Sequence, residues 1–468
     1  MSKKQQPIIV GLDIGTTKVV AIAGRKNEYG KLEILGFGRA DSEGVNHGVV
    51  INIEQCVHSV ELAIKRCFEN NPDLVITEVY VGIAGKHIKS MQAQGSRVRA
   101  NVDTEISKDD IEQLLRDQYK TYLPTGDQII DIIPQDYTVD NIPDIIDPVG
   151  MSGVKIGANF HVITGDSTAI RNMKRCVDRS NLKTCDLILQ PLASAAAVMN
   201  DEDMEAGVAI VDIGGGTTDM AVFCDGILKH TAVIPYAGVN ITNDILTGLR
   251  VLRSQAEQMK VQFGTALGSE ANRNSYITIP GLRGLPAKEV SVVNLANIIQ
   301  ARMEEILDYV MFNIRQIGLE HRLNGGIILT GGGARLKHIT QLTEYVTGMG
   351  ARIGYPNEHL AGGYNDALMS PMYSTCIGLI LRGYYDYESG RTEFYGNGGN
   401  YLRLSVDQPM VQEIETFEEP AQEESDEVAA NNKWEKFKKR QDTMKELFDR
   451  LRGKFMDLFE DIDDKELK

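Results

Sequence analysis

One stretch of this chain occurs twice. Ile9-Val10-Gly11-Leu12-Asp13-Ile14-Gly15-Thr16-Thr17-Lys18-Val19 opens the sequence, and Ala209-Ile210-Val211-Asp212-Ile213-Gly214-Gly215-Gly216-Thr217-Thr218-Asp219 returns about two hundred residues later. Each copy is a short apolar strand, an acid, a Gly/Thr turn and a second apolar strand. Glycine lets such a turn approach a ligand closely. The backbone N–H groups and threonine hydroxyls of the turn can donate to phosphate oxygens. An Asp at the strand end suits a hydrated Mg²⁺, which keeps several waters and takes one or two carboxylates. One such hairpin is equally an ordinary turn. Two of them predict two halves that clamp a polyphosphate between them, with Asp13 and Asp212 toward the metal. The chain has no G-x-x-x-x-G-K-[ST] loop, and no G-x-G-x-x-G opens a helix after these strands. That sets aside the Walker loop and the dinucleotide fingerprint.

Three other segments extend the pattern. Gly326-Ile327-Ile328-Leu329-Thr330-Gly331-Gly332-Gly333-Ala334 reads as a buried strand running into a glycine turn, with a helix expected from near Leu336. Side-chain-free backbone at a helix start can pack against a flat nucleoside and its phosphate. Gln190-Pro191-Leu192-Ala193-Ser194-Ala195-Ala196-Ala197 reads as a small-residue helix with one polar group at its mouth, and Tyr373-Ser374-Thr375-Cys376-Ile377-Gly378-Leu379 as another. Helices this poor in bulk permit close crossing, as at a hinge between lobes; plain tight packing would use the same residues.

Charge divides the chain more sharply than its total shows. The 468 residues carry 49 Lys+Arg against 65 Asp+Glu, a formal charge of −16. Nine acids and no base lie between Asp407 and Glu427, nine bases and four acids between Lys433 and Lys454, and six acids and two bases from Phe455 to Lys468. Residues 1–406 are then only mildly acidic. An acidic body is a poor match for nucleic acid, so no nucleic-acid partner is expected. No apolar run reaches the roughly 20 residues needed to span a bilayer. The opening Met1-Ser2-Lys3-Lys4-Gln5-Gln6-Pro7 leads straight into a strand, which reads as lacking a signal peptide. The six cysteines are scattered without a C-x-x-C pair, as in a reducing cytoplasm.

Residues 386–432 read as an acidic, disordered linker, whose stretch from Asp407 to Glu427 is poor in large apolar groups and broken by Pro409 and Pro420. A helical stripe follows in residues 433–468: Trp434, Phe437, Met444, Phe448, Leu451, Phe455, Leu458 and Ile462, widened by Leu447 and Phe459 and flanked by Lys and Arg. A basic amphipathic helix can lie in a membrane interface, here with Phe448, Leu451, Phe455, Leu458 and Phe459 buried in an anionic surface. The same seam could form a coiled coil, dock on a partner or pack on its own body. Gly453, which costs about 1 kcal/mol in a helix interior, and the acidic last residues weigh against lipid alone.

The five segments in this order resemble the actin/Hsp70/sugar-kinase ATPase superfamily: its two phosphate motifs, two connecting motifs and adenosine motif. The closer resemblance is to the FtsA family of bacterial cell-division proteins. Ile132-Ile133-Pro134-Gln135-Asp136-Tyr137-Thr138-Val139-Asp140, Val79-Tyr80-Val81-Gly82-Ile83-Ala84-Gly85 and His161-Val162-Ile163-Thr164-Gly165 look like that family's inserted subdomain and its borders. Gly238-Val239-Asn240-Ile241-Thr242-Asn243-Asp244-Ile245 and Ala256-Glu257-Gln258-Met259-Lys260 look like its second lobe. The resemblance covers about residues 7–385.

It implies an α/β, actin-like two-lobed ATPase fold with ATP and Mg²⁺ in the cleft and at most slow hydrolysis. Gly15, Thr16, Thr17 and Lys18 would hold phosphates from one lobe and Gly214, Gly215, Gly216, Thr217 and Thr218 from the other. Asp13 and Asp212 would organise Mg²⁺ through water. Gly331, Gly332 and Gly333 would back the adenosine, while Glu257 and Lys260 would reach ribose and base; as i and i+3 on a helix these two equally read as a surface pair. Gln190 would orient an attacking water. The implied division is residues 1–83 and 166–200 for the first lobe, 84–165 for the inserted subdomain, 201–246 and 247–320 for the second lobe and its own insert, and 321–385 for the closing segment. The first insert reads as strand, helix, strands, with Ser107 as N-cap and Asp110 at the third helical position; the second ends in a helix from Asn294 to Gly318. By resemblance the first insert serves self-association into a head-to-tail filament and contact with later division proteins. The second would receive the C-terminal tail of the tubulin-like protein FtsZ at Arg302, which equally reads as an exposed solubilising charge. The expected role is a tether that holds the FtsZ ring on the inner face of the cytoplasmic membrane at the division site. The alternatives are a soluble actin/Hsp70-type ATPase or a pilus-assembly-like adaptor whose terminal helix binds a partner.

Overall fold

Each copy of the repeated motif folds as an antiparallel hairpin at the centre of its own sheet. The computed structural model describes residues 6–389, apart from 70, 73, 102, 282–285 and 363–365. The first lobe opens with strands β1 (Ile9–Ile14), β2 (Lys18–Lys26) and β3 (Leu32–Asp41), a small hairpin of β4 (Val45–Asn46) and β5 (Val49–Val50), helix α1 (Ile53–Glu69) and β6 (Glu78–Ile83). An excursion follows: β7 (Lys89–Val98), α2 (Lys108–Gln118), β8 (Asp127–Val139), β9 (Ile142–Ile145) and β10 (Lys155–Asp166). The lobe resumes with α3 (Ser167–Arg179), β11 (Lys183–Leu189) and α4 (Gln190–Val198). After the short α5 (Asp201–Ala206), the second lobe runs through β12 (Val208–Ile213), β13 (Thr218–Cys224), β14 (Ile227–Ile234), α6 (Gly238–Leu249), α7 (Arg253–Phe263), β15 (Tyr276–Ile279), β16 (Lys288–Ser291), α8 (Val292–Gln316), β17 (Gly326–Thr330), α9 (Ile339–Thr347) and β18 (Ala351–Ile353). Helix α10 (Ser374–Glu388) closes the described chain.

The sheets repeat one topology. The first has the order β11-β6-β1-β2-β3 and the second β14-β13-β12-β17-β18. In both, the motif's first strand pairs antiparallel with its own hairpin partner and parallel with a later strand. All six residues of β1 and all six of β12 are buried, as expected of strands covered on both faces. Each sheet has its own apolar core. Val60, Ala63 and Cys67 of α1 and Ile170 and Met173 of α3 cover one face of the first sheet. Leu295, Ile299, Met303, Ile306, Val310 and Ile314, at helical spacings of three and four along α8, lie in the core of the second.

The excursion forms a separate four-stranded sheet, β7-β10-β8-β9, with a core around Phe160, Ile132 and Leu114. The capping box expected at Ser107 forms: its Oγ accepts from the Asp110 amide at 3.3 Å, and Asp110 Oδ2 accepts from the Ser107 amide at 2.9 Å.

Helices α4 and α10 cross with backbone against backbone. A Cβ on Gly378 would sit 1.7 Å from the Ala193 carbonyl oxygen, so only glycine fits there. Gly11 also faces α10 closely, its Cβ position 2.5 Å from the Cys376 carbonyl oxygen. The two small-residue helices therefore form a packed cross behind the hairpins.

Several element bounds differ from the sequence reading. After the third glycine turn the chain makes only a 3₁₀ turn, Gly333–Arg335, and the helix waits until Ile339 because His338 at its N-cap is left-handed. Helix α8 starts two residues before Asn294 and stops at Gln316, short of Gly318, which is at φ +68°. The expected linker also begins too early at 386. Helix α10 continues to Glu388, which pairs with Lys26 at 2.6 Å, while the Tyr384 hydroxyl accepts from the Lys26 amide at 2.9 Å. The rest of the expected linker and the amphipathic stripe of Phe448, Leu451, Phe455, Leu458 and Phe459 lie outside the described residues. No described helix is long and apolar enough to cross a membrane.

Candidate functional site

The two hairpin turns close in the same way. The Gly15 amide donates to the Lys18 carbonyl at 3.0 Å, and the Gly214 amide donates to the Thr217 carbonyl at 3.0 Å. This leaves Thr16-Thr17 and Gly215-Gly216 at the tips. The amides of these four residues have no hydrogen-bond partner among the described residues. The tips meet: a Cβ on Gly216 would lie 2.3 Å from Thr16 Oγ1, and one on Gly215 2.5 Å from Thr17 Cγ2. A side chain at Gly215 or Gly216 would collide with Thr17 or Thr16 of the first turn.

One pocket is lined by both turns and both strand-end acids. Asp13, Gly15, Thr16, Thr17, Lys18, Gln190, Asp212, Gly214, Gly215, Gly216, Thr217, Gly331 and Gly332 all reach it, with Gly48, Ala84, Met372 and Thr375. Asp13 accepts a hydrogen bond from Gln190 Nε2 at 2.7 Å and lies 3.8 Å from the Lys18 ammonium. Asp212 accepts from Ser194 Oγ at 2.6 Å and from Thr375 Oγ1 at 3.0 Å, so its anchors come from α4 and α10. Gly331, at φ +81°, brings the third glycine turn so close that a Cβ would sit 2.3 Å from Asp212 Oδ1. Its amide donates to the Pro371 carbonyl at 3.1 Å.

The acids are held against their ordinary ionisation. Burial pushes the Asp13 carboxyl up, and Lys18 pulls it part of the way back. Burial likewise raises Asp212, offset by the Ser194 hydroxyl and by Lys18. A third acid is perturbed more. Asp219 stands directly across the ladder from Asp212. Its Oδ2 accepts from Thr217 Oγ1 at 2.7 Å, while Oδ1 is buried without a partner. Burial, with the nearby Asp212 and Asp13 charges, lifts its pKa to about 8. A cation near these carboxylates would favour their ionised forms.

That chemistry fits a metal–polyphosphate. Four unengaged amides and one ammonium can take phosphate oxygens, and buried carboxylates can take the metal's water shell. No group of three or more His, Cys, Asp or Glu side chains among the described residues forms a complete metal cage. A metal here would keep water and phosphate as ligands, as Mg²⁺ does.

Four other expected site residues, Thr218, Gly333, Glu257 and Lys260, are outside the lining of this pocket. Thr218 is fully buried, its hydroxyl donating to the Tyr236 carbonyl at 2.7 Å. Gly333 packs on Ile213, 2.3 Å from its Cγ2 at the Cβ position. Glu257 and Lys260 do not line the pocket. They pair at 2.7 Å, as the surface reading expects, but Lys260 Nζ also lies 2.9 Å from the Gly238 carbonyl. The Gly238 and Val239 amides donate in turn to Gly214 and Gly215 at 3.2 and 2.8 Å. The pair thus braces the second turn through the start of α6. Arg302 is no loose surface charge. On α8 it holds Asp244 with two hydrogen bonds of 2.6 and 3.0 Å, pairs with Glu305, and lies 5.8 Å from the centre of the Tyr236 ring.

Sequence reasoning missed Asp219, Ser194, Thr375 and the turn at Gly48. Asp219 had a local signal: it sits two residues from Thr217, on the same face of the strand. Ser194 and Thr375 are single hydroxyls in runs of small residues, and only the crossing of α4 and α10 gives them a common target.

Comparison with known proteins gives a consistent picture. Residues 209–378 match the family model described as "Cell division protein FtsA", and residues 85–164 match "SHS2 domain inserted in FTSA". The chain is 38% identical over 408 residues to the cell division protein FtsA of Pseudomonas aeruginosa, covering 87% of this chain and 96% of that one. It is 36% identical over 393 residues to the FtsA of Escherichia coli K12, covering 82% and 92%. Among solved structures, a chain of the PilM–PilN type IV pilus biogenesis complex superposes with a TM-score of 0.59 at 14% identity, over 80% of this chain and 98% of that one. MreB5 of Spiroplasma citri, solved bound to ADP, gives 0.50 at 14% identity, over 82% and 98%. These two likenesses bear on the fold, which is actin-like.

Proposed function

The chain belongs to the FtsA family of bacterial cell-division proteins, and on that premise we propose that it binds Mg²⁺–ATP between its lobes and tethers the division ring to the membrane. The observation that carries the nucleotide reading is the convergence of Asp13 and Asp212, one from each hairpin, on a single pocket rimmed by unengaged amides. The Thr16, Thr17, Gly215 and Gly216 amides and Lys18 would hold phosphate oxygens. Asp13 and Asp212 would hold the hydrated metal, which supplies charge neutralisation when bound. Gln190 spends its Nε2 on Asp13, leaving its carbonyl oxygen to orient a water. Orienting water without a strong base supports slow hydrolysis at most. Gly331, Gly332 and Gly333 would back the adenosine, with Glu257 and Lys260 reaching its ribose and base from the start of the second lobe's insert.

Nucleotide occupancy would set the lobes for head-to-tail assembly, the β7–β10 insert would meet a neighbouring copy and later division proteins, and residues 433–468 would attach the filament to anionic lipid on the cytoplasmic face. One amphipathic helix binds lipid weakly; many on one filament bind by avidity. Full-length protein with ATP should co-sediment with anionic vesicles, and a chain ending at residue 432 should not. Equal sedimentation of both would place lipid contact elsewhere.

FtsZ-tail capture at Arg302 must displace bonds the arginine already makes. An acidic tail would compete with Asp244 for the same guanidinium. Arg302→Gln keeps a donor and places no new carboxylate beside Asp244 and Glu305. It should weaken a fluorescent FtsZ tail peptide roughly threefold, and unchanged affinity would move the tail site away from α8.

A further inference from the structure

We propose that the His47–Gly48 turn is a tie across the cleft, and that His47 is a positioning residue for the polyphosphate. The inference rests on the nucleotide reading above. Strands β4 and β5 pair Asn46 with Val49, so His47 and Gly48 form a two-residue turn, at φ +46° and +74°. Both central residues at positive φ match the twist of a tight hairpin. The tip touches both phosphate turns. The Gly48 amide donates to Thr16 Oγ1 at 3.1 Å, and His47 Nδ1 lies 2.7 Å from the Gly216 carbonyl oxygen. A carbonyl only accepts, so Nδ1 carries the proton in this contact.

The turn is fixed independently of that bond. The Ile51 and Asn52 amides donate to the Gly44 carbonyl at 2.8 and 3.0 Å. Gly48 presses on the chain at the entry to the insert, its Cβ position 2.6 Å from the Ala84 carbonyl oxygen. Gly48 and Ala84 line the same pocket as Asp13 and Asp212. His47 therefore reaches from an anchored element of the first lobe to the glycine turn of the second. By holding the Gly216 carbonyl it fixes the plane of the Gly216–Thr217 peptide. In a trans peptide the Thr217 N–H points the opposite way, so the tie sets the direction in which that pocket-lining residue donates.

Two substitutions isolate the bond in the full-length chain. His47→Gly accepts the positive φ and removes the donor. His47→Asn also tolerates that φ and returns an amide N–H near the place of Nδ1. Titration with ATP and Mg²⁺ should show His47→Gly about 2- to 12-fold weaker, the range of one hydrogen bond, with adenosine affinity unchanged and His47→Asn restored to near wild type. In nucleotide-free protein, hydrogen exchange across residues 208–224 should quicken in His47→Gly and recover in His47→Asn. Wild-type behaviour of His47→Gly in both measurements, or no recovery with Asn, overturns the proposal. Should the wild-type chain take up no ATP, the site reading and the phosphate role of His47 fail together, while the exchange result still decides whether the tie exists.

Discussion

The two glycine hairpins share a backbone and differ in charge. In both, a glycine amide closes the turn onto a carbonyl three residues on. Where the first has Lys18, the second has Thr217, and where the first places Val20 across from Asp13, the second places Asp219 across from Asp212. Asp13 is answered by a cation and an amide, Asp212 by two hydroxyls. The first turn thus balances its own acid; the second concentrates acids with little to offset them. On the proposed reading both hairpins offer amides to phosphate and an acid to the metal's water, but the first adds a cation for phosphate and the second a further acid toward the metal.

Neutralising Asp212 should have the largest effect. Asp212→Asn keeps an oxygen to accept from Ser194 and Thr375 but removes the charge. ATP affinity in the presence of Mg²⁺ should fall by about 10- to 100-fold, the usual cost of losing a group that orients a metal's shell. With a chelator present the variant and the wild type should bind ATP alike. A drop of equal size with and without metal would dissolve the division between the hairpins.

Lys18→Met tests the other side. Loss of a charge-assisted contact to phosphate should weaken ATP about tenfold, and the loss should persist when Mg²⁺ is chelated. If the Lys18 effect instead vanishes without metal, the lysine serves Asp13 rather than phosphate.

The smallest effect belongs to Asp219 and is read in stability. Its folded pKa is raised to about 8. Between about pH 4 and pH 8 the unfolded chain releases a proton that the folded chain keeps, so folded-state stability falls as pH rises through that window. Asp219→Asn removes this loss. Without nucleotide, its Tm should exceed that of wild type by clearly more near pH 8 than near pH 5. A Tm difference independent of pH would show that Asp219 is ionised in the folded protein. The same substitution should weaken Mg²⁺–ATP binding, a site acid that costs stability until its ligand arrives.

These contrasts also mark how far sequence reaches. The strand, acid and glycine turn are contiguous, and their order carries both the sheets and the pocket's two poles. The capping box at Ser107 is legible for the same reason: four adjacent residues satisfy one another. Helix ends are less so, because His338 adopts a left-handed conformation and Glu388 finds Lys26 from a distant strand. The partners of Asp212 are least legible. Ser194 and Thr375 lie 181 positions apart and meet 3.0 Å from each other only because Gly378 lets α10 cross α4 at backbone contact. Arg302 is visible as a charge, but its engagement with Asp244 needs α6 and α8 packed together.

The central claim is that two hairpins, unlike in charge, hold one metal–nucleotide between them. Calorimetric titration of the full-length wild-type chain with ATP, with Mg²⁺ and then with a chelator, tests it most directly. Binding should be saturable, at one site, and at least about tenfold tighter with Mg²⁺, as expected of carboxylates that act through a metal. ATP binding that ignores Mg²⁺, or no binding at all, would contradict it.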